Sequence, residues 1–220
     1  MKKVIIFGIN DFAELAHYYL TNDSKYEVVA FSVNERFKEG AKTFKDLPVV
    51  DFESIVAAFP PDKFLFFAPM APSKMNLLRE EIYNSIKTKG YGLISYVSSK
   101  ATVFNTQFGE NCFILENNTI QPFVKVGNNV VMWSGNHIGH HSQIKNHVMF
   151  TSHVVLSGHC TIEDYCFLGV NATIRDNLIL SEGTLVAMAT SITKNTDKWS
   201  VYVGTPGKKL ENKSSKDLKI

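Results

Sequence analysis

An apolar residue stands at every sixth position over a long stretch of this chain: Phe108, Ile114, Ile120, Val126, Met132, Ile138, Ile144, Phe150, Leu156, Ile162, Leu168, Ile174, Leu180, Val186 and Ile192. In a sequence that is 45% hydrophobic, so long an unbroken frame would arise by chance about once in 100,000. Four residues after most of these positions the side chain is small or β-branched: Cys112, Val124, Val130, Ser142, Val148, Val154, Cys160, Cys166, Ala172, Thr184 and Thr190, with Thr106 one hexad earlier. One inward aliphatic and one narrow partner per hexad is the pattern of a parallel β-helix, in which three hexads make a triangular coil and side chains eighteen apart lie one above another. The array predicts about five coils, and a stack of coils needs end caps of a different kind.

Residues 1–97 follow another rule. Lys3-Val4-Ile5-Ile6-Phe7 reads as a buried parallel strand, Asn10-Asp11 as the N-cap of a helix to about Leu20, and Tyr26 to Val33 as a second strand. Leu47-Pro48-Val49-Val50 is a short run, Asp51 is placed to cap a helix to Phe59, and Phe64 to Ala68 is a buried strand. Ser73 to Lys89 has helical character with Gly90 as its stop, and Leu93 to Val97 closes the unit. Strands alternating with helices imply a parallel sheet. The expected organisation is an α/β domain over 1–97, a β-helix domain over 98–210 with a turn at Gly204-Thr205-Pro206-Gly207, and a frayed polar tail over 211–220.

Charge excludes one class of partner. Lys plus Arg number 23 against 21 Asp plus Glu, a formal +2, too balanced for a protein that binds by neutralising nucleic-acid phosphates. No apolar run approaches the ~20 residues of a membrane span, and three sparse cysteines suit a reducing compartment; a cytoplasmic protein without a membrane partner is expected. The first strand ends in Gly8-Ile9-Asn10, with only one of the three glycines of a dinucleotide fingerprint, so NAD is excluded as a cofactor. The strand C-termini of an open α/β sheet still mark a ligand site, which makes Gly8, Asn10, Ser32, Asn34 and Pro69 candidates, with Lys74 as a possible phosphate contact.

Val126-Gly127, Ile138-Gly139-His140, Phe167-Leu168-Gly169-Val170-Asn171-Ala172 and Val203-Gly204-Thr205-Pro206-Gly207-Lys208 together resemble the sialic-acid O-acetyltransferase-like family. These are acyl-CoA-dependent sugar acyltransferases with left-handed β-helices, including N-acetyltransferases for nucleotide-linked deoxyamino sugars of bacterial surface glycans. The resemblance implies a Rossmann-like N-terminal domain that holds the nucleotide sugar, a homotrimer with acetyl-CoA in the groove between neighbouring prisms, and a histidine as general base. The matching base is His140. The eighteen-residue rule puts Gly158 directly above it, where a backbone N–H can meet the developing oxyanion. Family members often carry an acidic residue or Asn beside the base; here the neighbour is His141, leaving Asn136 or the stacked His159 as substitute orienting groups. His137 and His141 are candidates for substrate contact, and Asn171, Lys208 and Gly158 for CoA, with Arg175 and Lys209 as further possibilities.

His141, His147, His153 and His159 recur every six residues, at a position expected to point outward at a turn. A γ-carbonic-anhydrase-like zinc hydratase is the alternative from another class, but successive hexads sit on different prism faces and only His141 and His159 stack, so no metal is expected. Cys112, Cys160 and Cys166 occupy the narrow buried slot and are read as inert. The favoured activity is transfer of an acetyl or similar acyl group from CoA to a sugar amine. O-acylation and a non-catalytic scaffold are the remaining alternatives.

Overall fold

A computed structural model describes residues 2–218. They divide into two compact units, one made of the chain up to Ala71 with Glu81–Tyr96, the other of Pro72–Glu80 with the chain from Val97 onward. The interruption at Pro72–Glu80 is not visible in the sequence pattern.

In the first unit β1 (Lys2–Phe7), α1 (Asp11–Asn22), β2 (Tyr26–Val33), β3 (Thr43–Phe44), β4 (Leu47–Asp51) and β5 (Phe64–Phe67) build a sheet of order β3-β4-β2-β1-β5. All pairings are parallel except the β3–β4 edge hairpin. Val4, Ile5 and Ile6 have no exposed surface, as expected of a strand covered on both faces. Asn10 caps α1 as the sequence predicts, its side chain accepting from the Ala13 N–H. Asp51 makes no such cap; a 3-10 turn, Phe52–Ser54, leads instead into the short α2, Ile55–Ala58.

The helix expected from Ser73 begins at Leu77 and ends at Thr88 (α3). The reason is backbone geometry: Lys74, Met75 and Asn76 all have positive φ, at 51°, 51° and 66°, a left-handed turn that no right-handed helix can include.

The hexad region winds as three parallel ladders. One stacks the strands at Thr102–Val103, Thr119–Ile120, His137–Ile138, Val155–Leu156, Thr173–Ile174 and Ser191–Ile192; the second runs from Gln107–Phe108 to Ile179–Leu180; the third carries Phe113–Ile114, Val131–Met132, Met149–Phe150, Phe167–Leu168 and Leu185–Val186. Pairings such as Lys125↔Gln143 and Val131↔Met149 realise the eighteen-residue register. The inward aliphatics from Ile114 to Ile192 are all buried, most of them completely, each contributing about 1.5–3 kcal/mol on burial. Two narrow slots hold asparagine, and these form a buried ladder: Asn118 Nδ2 donates to the Leu115 and Trp133 carbonyls, and Asn136 Oδ1 accepts from the Val154 N–H.

Every sixth residue from Asn105 to Ala189 has φ between 51° and 82°. These are the corners, and they explain the six-residue spacing of histidines: the left-handed region is tolerated best by Gly, Asn, Asp and His. The corner positions here are mostly Asn, His and Gly.

The C-terminal segment is corrected. It is no frayed tail: Lys208–Ser214 forms a strand antiparallel to Ser200–Val203, and the following 3-10 turn has a capping box with Ser215 buried. Its side chains, Leu210 apart, are polar, but its main chain is paired. The last two residues lie outside the described region.

Candidate active site

Three corner positions eighteen apart form one exposed column: Phe123, His141 and His159, with φ of 68°, 59° and 58°. The His141 ring lies between Phe123 (centroids 4.6 Å apart) and His159 (4.8 Å, 12° from parallel). His140 precedes this corner. Its backbone N–H donates to Gln121 Oε1 at 2.9 Å, and its carbonyl accepts from the His159 N–H, so the turn is tied to the coils on both sides. The ring stands perpendicular to both other imidazoles, and its Nδ1 is 3.0 Å from Nδ1 of His141.

The His140 ring also lies against Gly158. A methyl group at Gly158 would lie 2.8 Å from Cε1 and 2.9 Å from Nε2 of His140, so only glycine leaves the imidazole its space. A side chain on Gly139 would likewise lie 2.5 Å from the Gly158 nitrogen. The Gly158 carbonyl accepts from Asn177; its N–H has no protein acceptor among the described residues. One basic nitrogen and one uncommitted backbone donor therefore share a small exposed shelf, a pairing suited to proton abstraction beside a developing negative charge.

The two groups expected to orient His140 lie differently around it. Asn136 is buried and fully engaged in the internal ladder, so it is unavailable. His159 meets the ring at its edge. The partner in hydrogen-bond reach is His141, which sequence reasoning had passed over because an imidazole lacks the charge of a carboxylate. The ligand atoms of His140, His141 and His159 all lie within 4.8 Å of one another. Yet the near-parallel stacking of two rings sends their lone pairs side by side, without the convergence a tetrahedral metal needs.

Another column of corners, Asn111, Asn129, His147 and Tyr165, is buried or half-buried, and sequence reasoning missed why. Arg79, which has 1% exposure, donates to Asn76 Oδ1 (3.0 Å) and to the Asn129 carbonyl and Oδ1; its Nε alone lacks a partner. Burial pulls the Arg79 pKa down to about 9, so it stays cationic at neutral pH. Asn129 in turn bonds Asn111 and His147, and His147 stacks on Tyr165. His147 was expected to point outward; it is buried, and burial lowers its pKa despite Glu80 at 3.7 Å. No local signal marks Arg79, because its partner is 50 positions away.

The remaining candidates are spread. Gly8 (φ 107°), Asn10, Ser32, Asn34 and Pro69 sit at the C-terminal ends of β1, β2 and β5, with the Gly8 N–H donating to the Ser32 carbonyl. Ser32 is fully buried and its Oγ lacks a partner; Asn34 donates to Glu53. Lys74 is exposed in the left-handed turn and belongs to the second unit. His137 lies on a strand outside the histidine trio. Asn171 is exposed at a different corner, and Lys208 borders a cavity of about 370 Å³ lined also by Ile192, Lys194, Tyr202 and Pro206, which His140 does not line. The cysteines are buried, as expected of the narrow slot, and burial pushes the Cys166 thiol up to about 12.

Comparison with known proteins bears on the fold. Residues 105–140 match the model of the bacterial transferase hexapeptide (six repeats). The chain is similar to PerB from Caulobacter crescentus, solved in complex with CoA and GDP-perosamine (TM-score 0.82, 17% identity, 94% of this chain and 97% of that one). It is also similar to the acetyltransferase domain of PglB from Neisseria gonorrhoeae FA1090, solved with acetyl coenzyme A (0.83, 16%, 95% and 99%), and to WeeI from Acinetobacter baumannii AYE (0.77, 19%, 94% and 99%). At these identities the likeness shows the fold alone, over about 94–95% of this chain. Among the described residues no helix is long and apolar enough to cross a membrane.

Proposed function

We propose that this chain is an acyl-CoA-dependent N-acyltransferase, with acetyl as the acyl group, acting on the amine of a nucleotide-linked deoxyamino sugar in the cytoplasm. The observation that carries the reading is the contact between the His140 ring and Gly158. In this mechanism the sugar amine attacks the thioester carbonyl and the new C–N bond produces a tetrahedral oxyanion. The Gly158 N–H donates to that oxygen. His140 Nε2 takes the proton from the attacking nitrogen, the C–S bond breaks, and the proton passes to the departing CoA thiolate. Two similar folds carry CoA or acetyl coenzyme A, one of them with GDP-perosamine, which supports both substrates.

The finer elements of the reading are that the coil is left-handed, that three copies assemble with CoA in the grooves between them, and that the first unit is a Rossmann-like domain. In it Gly8, Asn10, Ser32, Asn34 and Pro69 receive the nucleotide sugar; His137, His141, Asn171, Lys74 and Lys208 act as substrate or CoA contacts in the assembled site. The open character of the His140 shelf supports a cleft completed by a second copy. The absence of a carboxylate from the histidine trio favours an amine over a hydroxyl, which is a weaker nucleophile and asks more of its base. The zinc-hydratase alternative loses support from the parallel stacking of His141 and His159.

The test follows thiol release from acetyl-CoA with a panel of nucleotide amino sugars. His140→Ala is expected to lower turnover about 100-fold or more with little change in the KM for CoA, and Gly158→Ala to lower it about 10-fold or more by displacing the ring. Near-normal turnover of His140→Ala would remove the base from the mechanism.

A further inference from the structure

The backbone N–H of His140 donates to Gln121 Oε1 at 2.9 Å. A main-chain nitrogen can only donate, so the orientation of the Gln121 carboxamide is decided: its oxygen is committed to the turn that carries His140, and its Nε2 hydrogens are left for another partner. No residue among those described accepts them. Nε2 shares a carbon with Oε1, which keeps it within about 5 Å of the His140 nitrogen. Exposed aromatic surface flanks this amide. Phe123 follows it by two residues at 68% exposure, and the register Ile120↔Val103 sets Phe104, 49% exposed, next to Gln121 on the preceding coil. Phe123 is also a bulky residue held at φ 68°, where Asn, Gly or His is better tolerated. Tyr165, a corner of similar bulk, is stacked between His147 and Trp199. Phe123 meets a single ring, that of His141, and most of its surface stays in solvent.

We infer that the coil preceding His140 is the subsite for the acceptor sugar: Gln121 Nε2 donates to an oxygen of the sugar ring or its substituents, and Phe123 and Phe104 pack against the sugar's apolar carbons, a deoxy methyl among them. The inference rests on the proposed function for the class of acceptor and adds which residues select it. The two sides of His140 suit different molecules. On the far side, the ladder His137↔Val155↔Thr173↔Ser191 leads three strands on, about 14 Å, to the cavity lined by Lys194 and Lys208. Two ammonium groups there match the phosphates of CoA, so the donor extends from Gly158 toward the last coil. The near side has no such charge at Gln121, Phe123 and Phe104; it has one oriented donor and two phenyl rings. A sugar that placed a hydroxyl against those rings would leave it without a partner, which is how such a surface discriminates.

Thiol release from acetyl-CoA with UDP- and GDP-linked deoxyamino sugars, read beside saturation-transfer NMR of the same sugars on the same protein, tests the subsite. Gln121→Glu keeps an oxygen for the His140 N–H but carries no donor. At a pH above the acid limb it is expected to raise the KM for the sugar about 5- to 10-fold, with the KM for acetyl-CoA within about twofold. Gln121→Met loses both functions and is expected to lower kcat as well, because the turn that carries His140 is released. Phe123→Asn, a residue suited to the left-handed corner, is expected to raise the sugar KM about 5-fold or more and to reduce the preference for a deoxy sugar over its hydroxymethyl counterpart. An unchanged sugar KM in Gln121→Glu, or a rise confined to the KM for acetyl-CoA, overturns the inference while transfer itself continues. A Phe123→Asn protein of altered oligomeric mass and unaltered sugar KM gives that ring to a second copy and overturns the aromatic wall. A chain that binds the sugars, more weakly in both variants, yet releases no thiol overturns only the proposed function; one that neither binds nor transfers to any of them overturns both.

Discussion

Two columns of corners in the β-helix are built alike and behave differently. Asn111, Asn129, His147 and Tyr165 on one side, and Phe123, His141 and His159 on another, share φ values of 57° to 68°. Yet Asn111, Asn129 and His147 are at most 7% exposed, whereas His141 and His159 stand in solvent and Phe123 is 68% exposed. The difference comes from Pro72–Glu80, which carries Arg79 onto the first column and leaves the second bare. Backbone conformation thus selects which residue types stand at a corner. What covers the corner decides whether a histidine is buried against its neighbours, as His147 is, or left in solvent, as His141 and His159 are.

That contrast can be tested from its strongest element down. Arg79→Ala withdraws the donors that Asn76 and Asn129 use in the interior, and is expected to cost about 3 kcal/mol or more in urea unfolding, since buried acceptors lose their partners. A loss below about 1 kcal/mol would mean that the cover does not hold the column. The next effect is pH dependence. Burial keeps the folded-state pKa of His147 below its ordinary 6.5, so the unfolded chain binds the extra proton first and stability, full above about pH 6.5, declines as pH falls below it. Urea midpoints measured between pH 7.5 and 5.5 should therefore fall more steeply in the unaltered protein than in His147→Asn. Equal slopes would place His147 with the exposed histidines. The smallest effect belongs to the bare column: His159→Asn keeps a residue suited to positive φ and should leave stability within about 0.5 kcal/mol.

The sequence spoke clearly where a side chain's role repeats. Ile114 through Ile192 and the narrow slots at Cys112, Val130 and Cys166 were legible because each hexad poses the same packing problem. The recurrence of His141, His147, His153 and His159 was visible too, but its cause, a left-handed corner every sixth residue, is a backbone property with no hydrophobic signature. Hidden altogether was the pairing of Arg79 with Asn129, a contact between residues 50 apart, and with it the burial of His147. The late start of α3 escaped notice because Ser73-Lys74 has the composition of a helix entry while its backbone turns the opposite way. His140 was picked out by the family resemblance and Gly158 by the eighteen-residue register that stacks it above; that Nδ1 of His141 faces Nδ1 of His140 is a matter of ring orientation, which no spacing contains.

Parallel coils present the same unpaired edge at each end, and each additional coil recreates it. Lys208–Ser214 runs against the grain of the ladder it joins, so the next strand of another molecule would meet a reversed pattern of main-chain donors and acceptors flanked by lysines, a poor template for growth into fibres. A mostly polar strand thereby closes one ladder of the most regular region of the chain.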